Sequence, residues 1–151
     1  MEQMQVQPTE TTATDIVSEH YDTYKEVQQD ILETETRKTR NAILIVAALL
    51  FGSDLLALLM ANAVSGTNLL YILIVPVIFA TIGIFALKQP LAAIITAIVL
   101  YVSLWAFNVY IYGGAQILSG LIMKAIAVTF LLMGLNHARE AVKARKNLKS
   151  A

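Results

Sequence analysis

The chain of 151 residues has the length of one domain, and 57% of it is hydrophobic, with a mean hydropathy of +0.64; an ordinary soluble domain is about 45–50% apolar. The formal net charge of zero hides a strong segregation. Residues 41–136 contain only Asp54, Lys88 and Lys124 as charged side chains, and every other charge lies in residues 1–40 or 137–151. There is no basic surface of the size nucleic-acid binding needs, and without cysteine neither disulfides nor thiolate chemistry can be invoked.

A soluble helix needs a polar outer face, and the middle of this chain cannot supply one. Lipid is the solvent that tolerates such helices. The expected fold is all-α: a four-transmembrane-helix, up-down-up-down bundle preceded by an amphipathic N-terminal cytoplasmic helix.

Residues 1–14, rich in Gln and Thr and containing Pro8, are expected to form a disordered tail. They offer neither the basic start nor the prompt apolar run of a signal peptide, so the first span is expected to act as its own insertion signal. Over residues 15–40, Val17, Tyr21, Tyr24, Val27 and Ile31 recur at helical spacing, which predicts an amphipathic cytoplasmic helix. Up to Thr36 the charges are nine acids and one base, Lys25. This helix reads first as a solvated extension of span one. The alternative is a docking seam for a partner or another copy, but two tyrosines make a poor coiled-coil core.

Four apolar stretches follow, at residues 42–62, 69–87, 91–112 and 117–136, each near the roughly 20 residues that cross a 30 Å hydrocarbon slab. Between them stand turn residues: Ser65-Gly66-Thr67-Asn68, Lys88-Gln89-Pro90 and Gly113-Gly114. Connections this short predict antiparallel neighbours. Arg37, Lys38 and Arg40 precede span one, Lys88 separates spans two and three, and Arg139, Lys143, Arg145, Lys146 and Lys149 follow span four. The other two loops have no charge. Both termini are therefore expected to be cytoplasmic, with Tyr71, Trp105, Tyr110 and Tyr112 as an interfacial belt towards the opposite side. Residues 137–151 are expected to continue span four as a basic helical tail. Arg139, Lys143, Arg145 and Lys146 would meet anionic headgroups or a partner, or pair with the acidic N-terminal helix.

Asp54 and Lys124 need a reason, because a charge near mid-span costs about 2.5–3.5 kcal/mol on insertion scales. Asp54 lies 13 residues past Asn41, and Lys124 lies 13 residues before His137. At 1.5 Å per residue both sit roughly 20 Å from the same face. Small residues share their helix faces: Ala47, Ala57 and Ala61 with Asp54, Gly120 and Ala127 with Lys124. Ser103, and the Ile72 carbonyl released by Pro76, are expected to join them in one polar layer. Three uses of the layer are open. It could be a structural pair that fixes helix register, or a site for a proton, ion or small polar solute. In the third, Lys124 snorkels to the interface and never meets Asp54.

His20 and His137 are the only histidines. His137 is expected to cap span four or touch headgroups. No metal-ligand, phosphate-loop or protease constellation is present, so neither enzymatic activity nor a cofactor is expected. In layout the chain resembles small membrane proteins of bacterial cell membranes, a compositional likeness. The function expected is a non-enzymatic multi-pass membrane protein acting through association, as an accessory, scaffold or self-assembling subunit. Its partners would be the lipid bilayer and other membrane-protein subunits or itself. The rival is a small channel or transporter built on the Asp54–Lys124 layer.

Overall fold

A computed structural model describes residues 10–62, 64–113 and 120–150; the side chains of residues 10–19 and of Tyr112 are not described. All regular structure among the described residues is helical: α1 Glu10–Met60, α2 Gly66–Phe85, α3 Pro90–Tyr112 and α4 Leu121–Ser150. All four are long and apolar enough to cross a membrane, the composition of an integral membrane protein.

No proline interrupts residues 10–60, so the amphipathic segment and span one form a single helix of 51 residues, about 76 Å long at 1.5 Å per residue. It starts at Glu10, five residues before the expected Asp15. Residues 10–14, assigned above to a disordered tail, are thus helical, and residues 1–9 lie outside the described residues. Asn62, at φ 51°, turns the chain out of α1. The Ser65 hydroxyl then accepts the Asn68 N–H at 3.2 Å and caps α2. Pro90 opens α3 at the position where a helix needs no N–H. Gly113, at φ 82°, closes it. The fourth span was expected from residue 117; residues 114–119 lie outside the described residues, and α4 runs from Leu121.

α1 packs most extensively on α4 and next on α2, while α3 rests chiefly on α4. Ile43, Val46, Phe79, Ile94 and Ala97 are fully buried where the helices meet. Large apolar side chains cover the outside: Leu70, Val99 and Phe107 are each more than half exposed. Such a surface would aggregate in water and is what lipid requires.

The α1–α4 seam has coiled-coil spacing. On α4 the buried Ala127, Leu131, Gly134, Ala138 and Ala141 step 4-3-4-3, and on α1 the residues that meet α4, Gln28, Glu35, Thr39 and Ala42, step 7-4-3, both in the period of a two-helix seam. Asn147 bonds Gln28, His137 meets Glu35, and Thr39 reaches Gly134. The contacts climb α1 as they descend α4, so these two helices run in opposite directions. Small residues on α4 let the backbones approach. The stripe Tyr21, Tyr24, Val27 and Ile31 is not part of this seam. All four are exposed, on a neighbouring strip of the helix, and the apolar pattern over residues 15–40 therefore marked a different face from the one that packs on α4.

Of the described glycines, Gly134 has the least room for a side chain. A Cβ there would stand 2.9 Å from Ile94 Cδ1 and 3.0 Å from Ala42 Cβ, whereas one on Gly52 would meet nothing within 4 Å. Gly134→Ala is expected to destabilise the fold by about 1–3 kcal/mol through overpacking. Gly52→Ala should be neutral or add up to about 1 kcal/mol through helix propensity. Thermal unfolding of both variants in detergent checks the contrast.

Candidate functional site

Asp54 and Lys124 line one chamber of about 290 Å³ between α1, α3 and α4. It lies at the end of the bundle where α1 stops and α4 begins. Ser53, Tyr101, Trp105 and Asn108 are among the residues of its wall, with the Ser53 hydroxyl and the Asn108 amide bonded back to the Leu50 and Leu104 carbonyls, and Leu50 and Met123 add apolar surface. No Asp54–Lys124 ion pair is present among the described residues; the two charges share the space without closing on each other. One turn further along each helix, Val46, Ala97 and Leu131 are buried, so the chamber ends against packed side chains.

Two expected members of the layer lie elsewhere. Ser103 is exposed, because it is two residues from the chamber-lining Tyr101 and therefore about 200° around α3. Its stripe-mates agree: the Thr96 hydroxyl bonds back to the Ala92 carbonyl at 2.9 Å, and Tyr110 is 87% exposed. Pro76 is buried inside α2, but no α2 residue lines the chamber. Tyr101 and Asn108 take their places. They could have been found by following Ala93, Ala97, Tyr101, Leu104 and Asn108, a small-to-polar stripe spaced 4-4-3-4. Of the expected belt, Tyr71 and Tyr110 are well exposed and Trp105 is 40% exposed; the Tyr112 side chain is outside the described ones.

A second polar cluster sits at the other end of the bundle, in the α1–α4 seam. His137 Nδ1 lies 2.5 Å from Glu35 Oε2, and Lys38 Nζ donates to Glu35 Oε1 at 2.6 Å. α4 runs on past His137 to Ser150, so His137 does not cap a helix end as expected; its ring bonds Glu35, whose side chain is only 14% exposed and needs a partner. Beside it the buried Thr39 hydroxyl is shared between the Glu35 carbonyl at 2.9 Å and the Gly134 carbonyl at 3.4 Å. Burial pushes the Glu35 carboxyl up, but the bonds and charges of Lys38 and His137 outweigh it and hold the carboxyl below its ordinary value.

The tail bases divide. Lys143 donates to Glu140 at 2.7 Å along its own helix, and Arg145 reaches the Lys88 carbonyl at 3.1 Å. Arg139 and Lys146 are exposed. The two tails do lie together, but through the Gln28–Asn147 and Glu35–His137 contacts. Glu33 pairs with Arg37 within α1, so of the acid–base pairing expected between the tails the contact present joins Glu35 to His137 rather than to a lysine or arginine of the tail. Among the described residues no three His, Cys, Asp or Glu side chains converge as metal ligands would.

Two outcomes follow from the Glu35 cluster. Its carboxyl titrates lower in the fold than the ordinary value of 4.5, so its contribution is complete above that value and disappears as pH falls through the lowered pKa. Glu35→Gln is expected to cost about 1–3 kcal/mol at neutral pH and to flatten that acid loss, as read by unfolding midpoints across a pH series. Because the chain has no cysteine, Gln28→Cys with Asn147→Cys, whose native side-chain ends lie 3.4 Å apart, should be joined within one chain by a short thiol-to-thiol cross-linker, visible as a mobility shift absent from either single variant. No family model, curated protein or solved structure matches the chain, so its function has to be read from its own side chains.

Proposed function

We propose that the chain is a non-enzymatic, multi-pass integral membrane protein that works through association, as an accessory, scaffold or self-assembling subunit. One observation carries this reading. Tyr24, Val27 and Ile31 are 45%, 50% and 38% exposed on the part of α1 that precedes the first span. Exposed apolar groups within a span face lipid at no cost, whereas this stripe lies beyond it and faces water. With Asn147 opposite Gln28, α4 ends near Lys25, and α1 extends further as a separate rod. A second helix laid along the stripe would remove it from water.

The bundle reads as up-down-up-down with both ends cytoplasmic. Support comes from the Lys and Arg distribution and from Arg37, Arg40 and Arg145 bordering one groove beside Lys88 at the end from which both tails emerge. A bacterial cell membrane is the setting that the layout suggests.

A second reading, a small channel or transporter, is favoured by the presence of Asp54 and Lys124 on one chamber wall. The packed layer of Val46, Ala97 and Leu131 suits a bounded pocket better than a passage. Asp54→Asn abolishing an ion or proton flux in proteoliposomes would move the balance to transport.

Association is tested directly by Val27→Glu with Ile31→Glu. Wild-type protein in mild detergent should migrate as an oligomer or with a copurifying subunit, and the variant as a single chain with unchanged helix content. A wild type already monomeric and alone by light scattering would sink the proposal.

A further inference from the structure

At the end opposite the chamber, a groove of about 600 Å³ opens between α1, the turn joining α2 to α3, and α4. Arg37 and Arg40 reach it from α1, Arg145 from α4, and Leu87 supplies an apolar wall from the turn. Glu33 also borders it, and its carboxylate is already engaged by Arg37. Three guanidiniums thus face one carboxylate, and the groove is strongly basic.

Its donors are only partly used. A guanidinium has five N–H donors. Arg145 is anchored by a bond from one nitrogen to the Lys88 carbonyl, Arg37 by one to Glu33, and Arg40 by long bonds of 3.3–3.4 Å to Asn41. Thr36 lines the same groove and is 6% exposed, yet its hydroxyl has no hydrogen-bond partner. A buried hydroxyl without a partner is uncommon and destabilising, and Thr39 one turn on, fully buried, bonds two carbonyls. The simplest resolution is an acceptor that the polypeptide itself does not supply.

Depth identifies the acceptor. Arg37 and Arg40 stand immediately before the first span, and Leu87 immediately after α2, which puts the groove at headgroup level. Next to it the exposed Ile84 and Phe85 offer an apolar wall for acyl chains. We propose that this groove binds the phosphodiester of an anionic phospholipid drawn from the leaflet on the side of the tails. The guanidinium forks clasp the phosphate oxygens from two helices, and the Thr36 hydroxyl donates to one of them. The positive surroundings favour a headgroup of net negative charge over a zwitterionic one.

Native mass spectrometry of the full chain in detergent, titrated separately with phosphatidylglycerol, phosphatidylcholine and inorganic phosphate, tests the site. Phosphatidylglycerol should bind at least about tenfold more tightly than phosphatidylcholine, and inorganic phosphate should not displace it. Arg40→Gln and Arg145→Gln should each weaken it about tenfold or more, while Lys149→Gln, an equal loss of charge outside the groove, should change it by less than about twofold. Thr36→Val distinguishes a bound phosphate from a mere packing defect. It should leave the unfolding temperature equal or higher, since the orphan hydroxyl is gone, yet weaken phosphatidylglycerol several-fold. Each of four results would overturn the proposal: equal binding of the two lipids, displacement by inorganic phosphate, equal loss in Lys149→Gln, or unchanged lipid affinity in Thr36→Val. The lipid comparison and the Thr36 variant keep it falsifiable should an arginine variant fail to fold.

Discussion

The close approach of α1 and α4 governs where everything else falls. With no side chain at Gly134, Ala42 and Ile94 press against the α4 backbone and Thr39 can reach a carbonyl across the seam. This one contact sets the register of two long helices. It places Lys124 beside Asp54 at one end and Arg145 beside Arg37 and Arg40 at the other. In lipid the hydrophobic effect does not draw helices together, and cross-helix hydrogen bonds average only about 0.6 kcal/mol. Close van der Waals contact must supply most of the attraction. From His137 on, α4 is charged like the part of α1 it packs against, and where such polar helices meet water, burying Ala138, Ala141 and Ala144 is itself favourable. A seam of small residues works in both solvents, which is why one helix pair can pass from one to the other without changing partner.

This dual setting also explains what could be read from the sequence. The four long apolar helices, the Ser65 cap, the Pro90 start and the placing of Asp54 and Lys124 at one end of the bundle all follow from hydropathy, turn chemistry and helical rise. The inward faces do not. Inside a bilayer the outer surface is as apolar as the core, so hydrophobic periodicity no longer marks the interior, and Ser103 was assigned to the wrong side of α3. On the aqueous part of α1 the error runs the other way. Tyr24, Val27 and Ile31 form the most apolar stripe, yet α4 packs on Gln28, Glu35 and Thr39. Size, not hydropathy, decides that seam, and the alanines of α4 were its visible mark. His137 was misplaced for a related reason: its partner Glu35 is 102 residues away, and no local pattern joins them.

The two ends of the bundle have different chemistry. The chamber holds one charge of each sign among aromatic and amide groups, so it is nearly neutral and bounded below by packed core. The groove is basic and open. Between them the buried layer from Ile43 to Leu131 separates the two in space. The association role proposed above draws on this arrangement: a pair of packed helices with bases at one end, and an acidic continuation of α1 that carries the exposed stripe of Tyr24, Val27 and Ile31.

The continuity of the α1–α4 pair across the membrane surface is what all of this rests on, and amide hydrogen exchange of the full chain in lipid nanodiscs measures it residue by residue. Exchange should be slow from about Gln28 through the first span and along α4 as far as residue 147, and fast over residues 10–24, where α1 runs alone. If residues 28–40 exchanged as quickly as residues 10–24, the two helices would be separate outside the lipid. The register that aligns both sites would then have no basis.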